Sequence, residues 1–222
     1  MITIACVLVN ANVAYTPDYV RRLKRMCDRF CPVPFRFVCL TDDPFSGIDC
    51  IHIQHNASLP GWWAKLRLWD KSLGLSGPGI YLDLDSLVVS DLTPIIDFPN
   101  KLAFIPHAGS FEGKGGKRVI KCYNSSCVKL DFSSNNDLYS SWSAAVACEL
   151  WGDQDWIASR LPNLPTFPLN WFPRLSEVKG PTWPDEAKVI LCKKPKNHIA
   201  AKVWPWFDRQ WGGNYNGRSR LR

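Results

Sequence analysis

Gly79-Ile80-Tyr81-Leu82-Asp83-Leu84-Asp85-Ser86-Leu87-Val88-Val89 decides the fold. Apolar residues run straight into two carboxylates separated by one residue, and a second apolar run follows. A short β-branched and aromatic run bounded by Gly reads as a buried strand. Carboxylates at the end of such a strand sit at the sheet edge where open α/β sheets meet their ligands. One intervening residue sends both Asp side chains to the same side of an extended backbone, where they can grip one divalent cation. The same pair also describes two solvated Asp in a strand-ending turn. A second Asp-x-Asp occurs at Asp153-Gln154-Asp155, so the surrounding chain must discriminate.

Upstream, Ile2-Thr3-Ile4-Ala5-Cys6-Val7-Leu8-Val9 reads as a first strand; it lacks the basic leader of a signal peptide. Thr16-Pro17-Asp18 predicts a helix start, with a hydroxyl N-cap, Pro at the first helical position and an acid in the first turn. Tyr19/Val20, Leu23, Met26/Cys27 and Phe30 follow at helical spacing until Pro32. Phe35-Arg36-Phe37-Val38-Cys39-Leu40 and Ile51-His52-Ile53 predict two more strands. Gly61-Trp62-Trp63-Ala64-Lys65-Leu66-Arg67-Leu68-Trp69 reads as a helix with Trp62, Leu66 and Trp69 on one face and Lys65 at its edge.

Downstream, Lys101–Pro106 and Cys127–Leu130 read as strands, and residues 109–121, with four Gly and four Lys or Arg, as a mobile basic loop. Its glycine spacing matches no phosphate-binding loop. Leu138, Trp142, Ala145 and Glu149 mark a helix that stops near Gly152, and Lys188–Cys192 is a last strand. Strands alternating with helices predict an α/β fold, a mixed and largely parallel sheet flanked by helices. No Gly-x-Gly-x-x-Gly follows the first strand, which counts against a dinucleotide-binding Rossmann domain.

The 222 residues suffice for one sizeable domain, read as 1–204 with a basic, mobile tail at 205–222. Basic residues outnumber acidic ones 27 to 20, a net charge of +7 that favours a polyanionic partner such as nucleic acid or a phosphorylated ligand. Eleven Trp suit packing, or stacking on sugars and bases. The nine Cys form no Cys-x-x-Cys pair, which argues against zinc and for buried thiols in a reducing cytoplasm. No apolar run approaches membrane-spanning length.

The order of motifs carries more than any one of them. A first strand leads into Tyr15-Thr16-Pro17-Asp18-Tyr19-Val20, and Cys39-Leu40-Thr41-Asp42-Asp43 closes the second strand. Then come Gly61-Trp62-Trp63-x-Lys65-Leu66, Tyr81-Leu82-Asp83-Leu84-Asp85, Asn124-Ser125-Ser126 and Gly152-Asp153-Gln154-Asp155. This succession resembles the GT-A-fold glycosyltransferases, specifically the family 8-like enzymes often encoded by bacteriophages, over roughly residues 2–200.

The resemblance implies a nucleotide-sugar donor, a UDP-sugar for preference, and Mn2+ or Mg2+ held by Asp83 and Asp85. Such a cation offsets the charge that builds on the departing nucleoside diphosphate. It also implies that Tyr15 packs on the donor base, that Thr41 and Asp42 line the same pocket, and that Lys65 contacts phosphate or sugar. Read as residues alone, Tyr15 equally packs the helix start, Thr41 and Asp42 form a turn, and Lys65 is a solvated cation. Asn124 resembles the position that reaches the transferred sugar or acceptor, although Ser126 stands where Gly is usual. Asp153 and Gln154 resemble the segment beneath the donor sugar, with Asp155 either beside them or an N-cap.

Retention of anomeric configuration is implied, by a carboxylate nucleophile or by a front-face route. The related enzymes carry His-Gly-Lys-Pro after the last strand, whereas this chain has Cys192-Lys193-Lys194-Pro195. The His ligand is therefore missing, and thiolate is a soft partner for Mn2+ or Mg2+. His198 is a candidate replacement, with Lys194 and Lys196 on the diphosphate. A phage-type enzyme with this net charge points to hydroxymethylated pyrimidines in DNA as one acceptor, beside small molecules, glycans and proteins. The alternatives are a catalytically degenerate GT-A domain that binds a nucleotide-sugar or nucleic acid, and a metal-dependent phosphoesterase.

Overall fold

Strand β1 (Ile2–Leu8) is buried from Thr3 onward, and a strand apolar on both faces needs cover on both. Its residues divide strictly: Ile4, Cys6 and Leu8 enter one hydrophobic cluster, Ala5, Val7 and Val9 the other. The protein is a computed structural model describing residues 1–11, 15–56, 59–107, 110–112, 118–120, 123–134, 136–178 and 182–192.

Helix α1 (Pro17–Phe30) covers the first face with Val20, Leu23, Met26 and Cys27. Thr16 occupies the N-cap position as predicted, but its side chain makes no capping bond there, so Pro17 and Asp18 carry the helix start. Strands β2 (Phe35–Thr41) and β3 (Asp49–His52) follow, each parallel to its neighbour, with Cys6 opposite Cys39 and Cys39 opposite Cys50.

The stretch Gly61–Trp69 is a 3-10 helix, not the expected α-helix. At three residues per turn, positions i and i+3 lie in file, so Trp63, Leu66 and Trp69 share the buried face and Trp62 does not. That face covers the second side of the sheet.

Strand β4 (Pro78–Leu82) lies beside β1, in parallel. Gly79 is required there, because a Cβ would fall 2.4 Å from both the Thr3 carbonyl oxygen and Cε2 of Phe132. Strand β5 (Ser86–Val88), the short helix α2 (Thr93–Ile96) and strand β6 (Ala103–Pro106) lead to strands β7 (Ser110–Glu112) and β8 (Arg118–Ile120). These two pair antiparallel, so the stretch read as a loop is in part a hairpin; residues 113–117 lie outside the described residues. Strand β9 (Tyr123–Asp131) runs antiparallel between β4 and β6.

Helix α3 (Ala144–Glu149) is shorter than the predicted helix, residues 138–142 being mostly turn. Helix α4 (Asp153–Arg160) starts directly at the second Asp-x-Asp, and strand β10 (Val189–Leu191) pairs antiparallel with β5. The main sheet has the order β3-β2-β1-β4-β9-β6, with β9 alone reversed. The fold class is the predicted one: mixed α/β, largely parallel, with helices on both faces. Every parallel strand from β3 to β4 ends on the same edge, and there the candidate residues collect.

Candidate active site at the end of strand β4

The ladder between β4 and β9 continues one step past Leu82, the Asp83 amide donating to the Ser126 carbonyl at 2.9 Å. The chain then turns, with the Ser86 amide donating to the Asp83 carbonyl at 3.1 Å. Asp83 and Asp85 therefore sit on a tight turn between two strands, not on the extended backbone inferred from their spacing. Leu84 between them is buried and anchors that turn.

Asp83 is held from two sides. The Tyr81 hydroxyl donates to its Oδ1 at 2.5 Å, and the Lys65 ammonium lies 2.8 Å from the same atom. Lys65 also reaches Ser125 Oγ at 3.3 Å, and Ser125 donates to Asp153 Oδ2 at 2.6 Å. Gln154 Nε2 approaches the same Ser125 oxygen at 3.3 Å. Burial by itself would lower the Lys65 pKa, but the charges of Asp83 and Asp153 hold it above the ordinary lysine range. Burial raises the Asp153 carboxyl, and Lys65 opposes that shift.

Ser125 is the residue that sequence reading missed. It owes its place to a break in register: β6 pairs Phe104 with Val128 but Ile105 with Asn124, so three residues of β9 bulge toward β4 and α4. Alternation gave no such signal, since Cys127, two residues on, packs in the opposite core from Tyr123.

On the other flank, the Tyr15 hydroxyl donates to Asp85 Oδ2 at 2.9 Å. Burial and the Asp85 charge push the phenol well above its usual pKa, so it stays a donor. Tyr15 also lines a cavity of about 250 Å³ with Val9, Asn10, Pro17, Thr41 and Asp43. Thr41 enters that wall, its hydroxyl accepting from the Asp43 amide at 3.2 Å. Asp42 does not line it; both its carboxylate oxygens accept from the Asn10 amide, at 3.0 and 3.1 Å, and tie the ends of β1 and β2 together.

Asn124 turns its Oδ1 to the Ser126 amide at 2.7 Å and borders a second cavity, of about 170 Å³, with His107, Phe172 and Arg174. Asp155 stands apart from the cluster: its Oδ2 accepts from the Trp151 amide at 3.0 Å, closing the start of α4. Asp155 is thus at the third helical position, not the N-cap, which is Gly152.

Leu191 pairs with Ser86, which brings Cys192 beside the turn. Burial, then the Asp85 charge, raises its thiol pKa, so it is present as a neutral thiol. Lys194, Lys196 and His198, expected on the diphosphate and the cation, lie outside the described residues. Among the described residues no three His, Cys, Asp or Glu gather as a metal site.

The structure is similar to the galactosyltransferase LgtC solved with donor and acceptor sugar analogues, with TM-score 0.62, 14% identity and 95% of each chain covered. The WbbM bifunctional glycosyltransferase matches at TM-score 0.58 and 11% identity over 95% of this chain and 51% of that one. GlyE of Streptococcus pneumoniae TIGR4 matches at 0.53 and 16%, over 78% and 47%. No protein-family model and no curated protein matches the sequence. At these identities the likeness is one of fold, and the fold is GT-A.

Proposed function

We propose that the chain is a nucleotide-sugar-dependent glycosyltransferase that moves a hexose from a nucleoside diphosphate to an acceptor hydroxyl. The observation that carries this reading is the cluster at the end of β4, where Asp83, Lys65, Ser125 and Asp153 form one bonded network and Asp85, held by Tyr15, stands beside it. A GT-A sheet ends at that edge, and the cavity beside Tyr15 opens onto it. The structural neighbours are glycosyltransferases, one of them solved with donor and acceptor analogues and another substituted at an active-site glutamine.

The residues fit a divalent cation. Asp83 and Asp85 offer hard oxygen donors, and three carboxylates with Asp153 outnumber the single ammonium of Lys65. Asp83 and Asp85 would hold Mn2+ or Mg2+, which supplies neutralisation of the leaving diphosphate. Cys192 is a buried thiol and a soft donor, poorly matched to Mn2+ or Mg2+, so the rest of the shell falls to water, phosphate oxygens or the chain beyond residue 192.

The chain's own residues do the remaining work. Tyr15 joins the cavity to Asp85, so a base packed on its ring is aligned with the carboxylate pair. Lys65, with a proton it does not give up near neutrality, places positive charge between Asp83 and Asp153. Asp153, 3% exposed and held by Ser125, fixes the start of α4 beneath the space a donor sugar would occupy. Gln154, on the same serine, borders the same space.

The test is nucleoside diphosphate release from a panel of nucleotide-sugars with Mn2+, the parent chain against Asp85→Ala. Expected is slow donor hydrolysis by the parent and loss of at least 100-fold in the variant, the scale of one electrostatic contact to a leaving group. Release that survives the substitution would refute the assignment. Binding of a nucleotide-sugar without turnover would favour the degenerate-domain reading, which Cys192 in place of a His ligand motivates.

A further inference from the structure

The 3-10 helix Gly61–Trp69 sets Trp62, Lys65 and Leu68 in one file. Leu68 is in the core, Lys65 is on Asp83 and Ser125, and Trp62 is 43% exposed at the outer end. The file therefore runs from the core through the site to its rim. Trp62 is also fixed in orientation. Its indole N–H donates to the Trp151 carbonyl at 3.2 Å. Its ring edge lies against Gly152, where a Cβ would fall 3.2 Å from both Cδ1 and Nε1. Gly152 caps the helix that carries Asp153 and Gln154, so the exposed indole is one residue from the donor-facing segment. Trp151 beside it is exposed as well.

An indole held by its own N–H and left open to solvent offers a flat apolar surface and little else. Sugar rings and bases both stack on such surfaces. Charge chooses between them. Glu149 is exposed two residues before Trp151, Asp153 and Asp155 are buried, and no Lys or Arg occurs between Trp142 and Ser159. That stretch presents a carboxylate and no cation to a phosphate, and Glu149 is an acceptor for hydroxyl groups.

We propose that Trp62, backed by Trp151 and Gly152, is the platform on which a pyranose ring of the acceptor stacks, which makes the acceptor a glycan. The inference rests on the transferase reading above. It extends that reading to the acceptor side, where net charge alone had pointed to DNA.

The test is 19F NMR of the full chain labelled with 5-fluorotryptophan, its Trp62 line assigned by Trp62→Phe. UDP with Mn2+ is added first, then cellobiose, maltose and methyl β-galactoside in turn, and separately a thymidine oligonucleotide. Expected is a saturable shift of the Trp62 line with at least one saccharide and none with the oligonucleotide. Trp62→Leu should weaken that saccharide's Kd about tenfold, the scale of one lost stacking contact. A Trp62 line unmoved by every saccharide, or moved by the oligonucleotide instead, overturns the platform. If no nucleotide-sugar of the release panel is turned over or bound, the donor site fails first and the transferase reading with it. Should Trp62→Leu not fold, the line shifts in the wild-type chain still decide.

Discussion

Removing Lys65 is the sharpest probe of the network. Lys65→Met keeps the apolar stem and deletes the ammonium between Asp83 and Asp153. The ion pair is 12% exposed on the lysine side and 18% on the aspartate side, so solvent screens it little. Breaking one partner of such a pair costs about 3–5 kcal/mol, because a buried charge is left uncompensated. For a chain of this length that lowers Tm by about 10 °C.

The pH dependence is fixed by sign. Lys65 is held above the ordinary lysine range in the folded state, so its contribution persists through neutrality and is lost only at strongly alkaline pH. Asp153 is raised by burial, and Lys65 pulls it back down. A carboxyl raised on folding stabilises the fold at low pH and loses that contribution as pH rises through its folded value. Without Lys65 that value climbs further, and Asp153 takes up a proton more readily. The stability deficit should therefore be largest at pH 8 and shrink as pH falls toward 5, read by urea unfolding across the range. Lys65→Met combined with Asp153→Asn should be more stable at pH 8 than Lys65→Met alone. A deficit that does not vary with pH, or a double variant no better than the single one, would refute the coupling.

Two further substitutions test the frame around that network. Ser125→Ala leaves Asp153 Oδ2 without its hydroxyl donor and should cost about 1–3 kcal/mol, checked by the shift in urea midpoint at unchanged slope. Gly79→Ala forces a Cβ against the Thr3 carbonyl and Phe132, and backbone on one side leaves no room to relax. A loss of about 3 kcal/mol or more is expected by thermal melting, at the upper end for overpacking.

Periodicity exposed the strands because each is apolar on a repeat the sheet enforces, and β1 divides its residues between two cores without exception. It misplaced the Trp62 face because 3-10 and α periods diverge by the second turn, and residue type does not distinguish them. Thr16 shows the opposite error: the hydroxyl stands at the correct position and makes no capping bond there, since Pro17 already fixes the first turn.

The candidate site was legible where chemistry is written in one residue and illegible where it depends on register. Asp83, Asp85 and Lys65 announce charge, and a sheet edge is where charge can be used. What joins them is Ser125, whose inward position requires three residues of β9 to slip past β6 between Phe104 and Ile105. No local pattern encodes that slip; it follows from Asp83 continuing the β4 ladder to Ser126 while α4 presses Asp153 onto the same strand. The bulge then sets how Lys65 is held between the carboxylates. By giving Lys65 two anionic partners and one shared serine, it holds the ammonium within the cluster and leaves Asp83 and Asp85 together in excess of it, a surplus that a cationic ligand would balance.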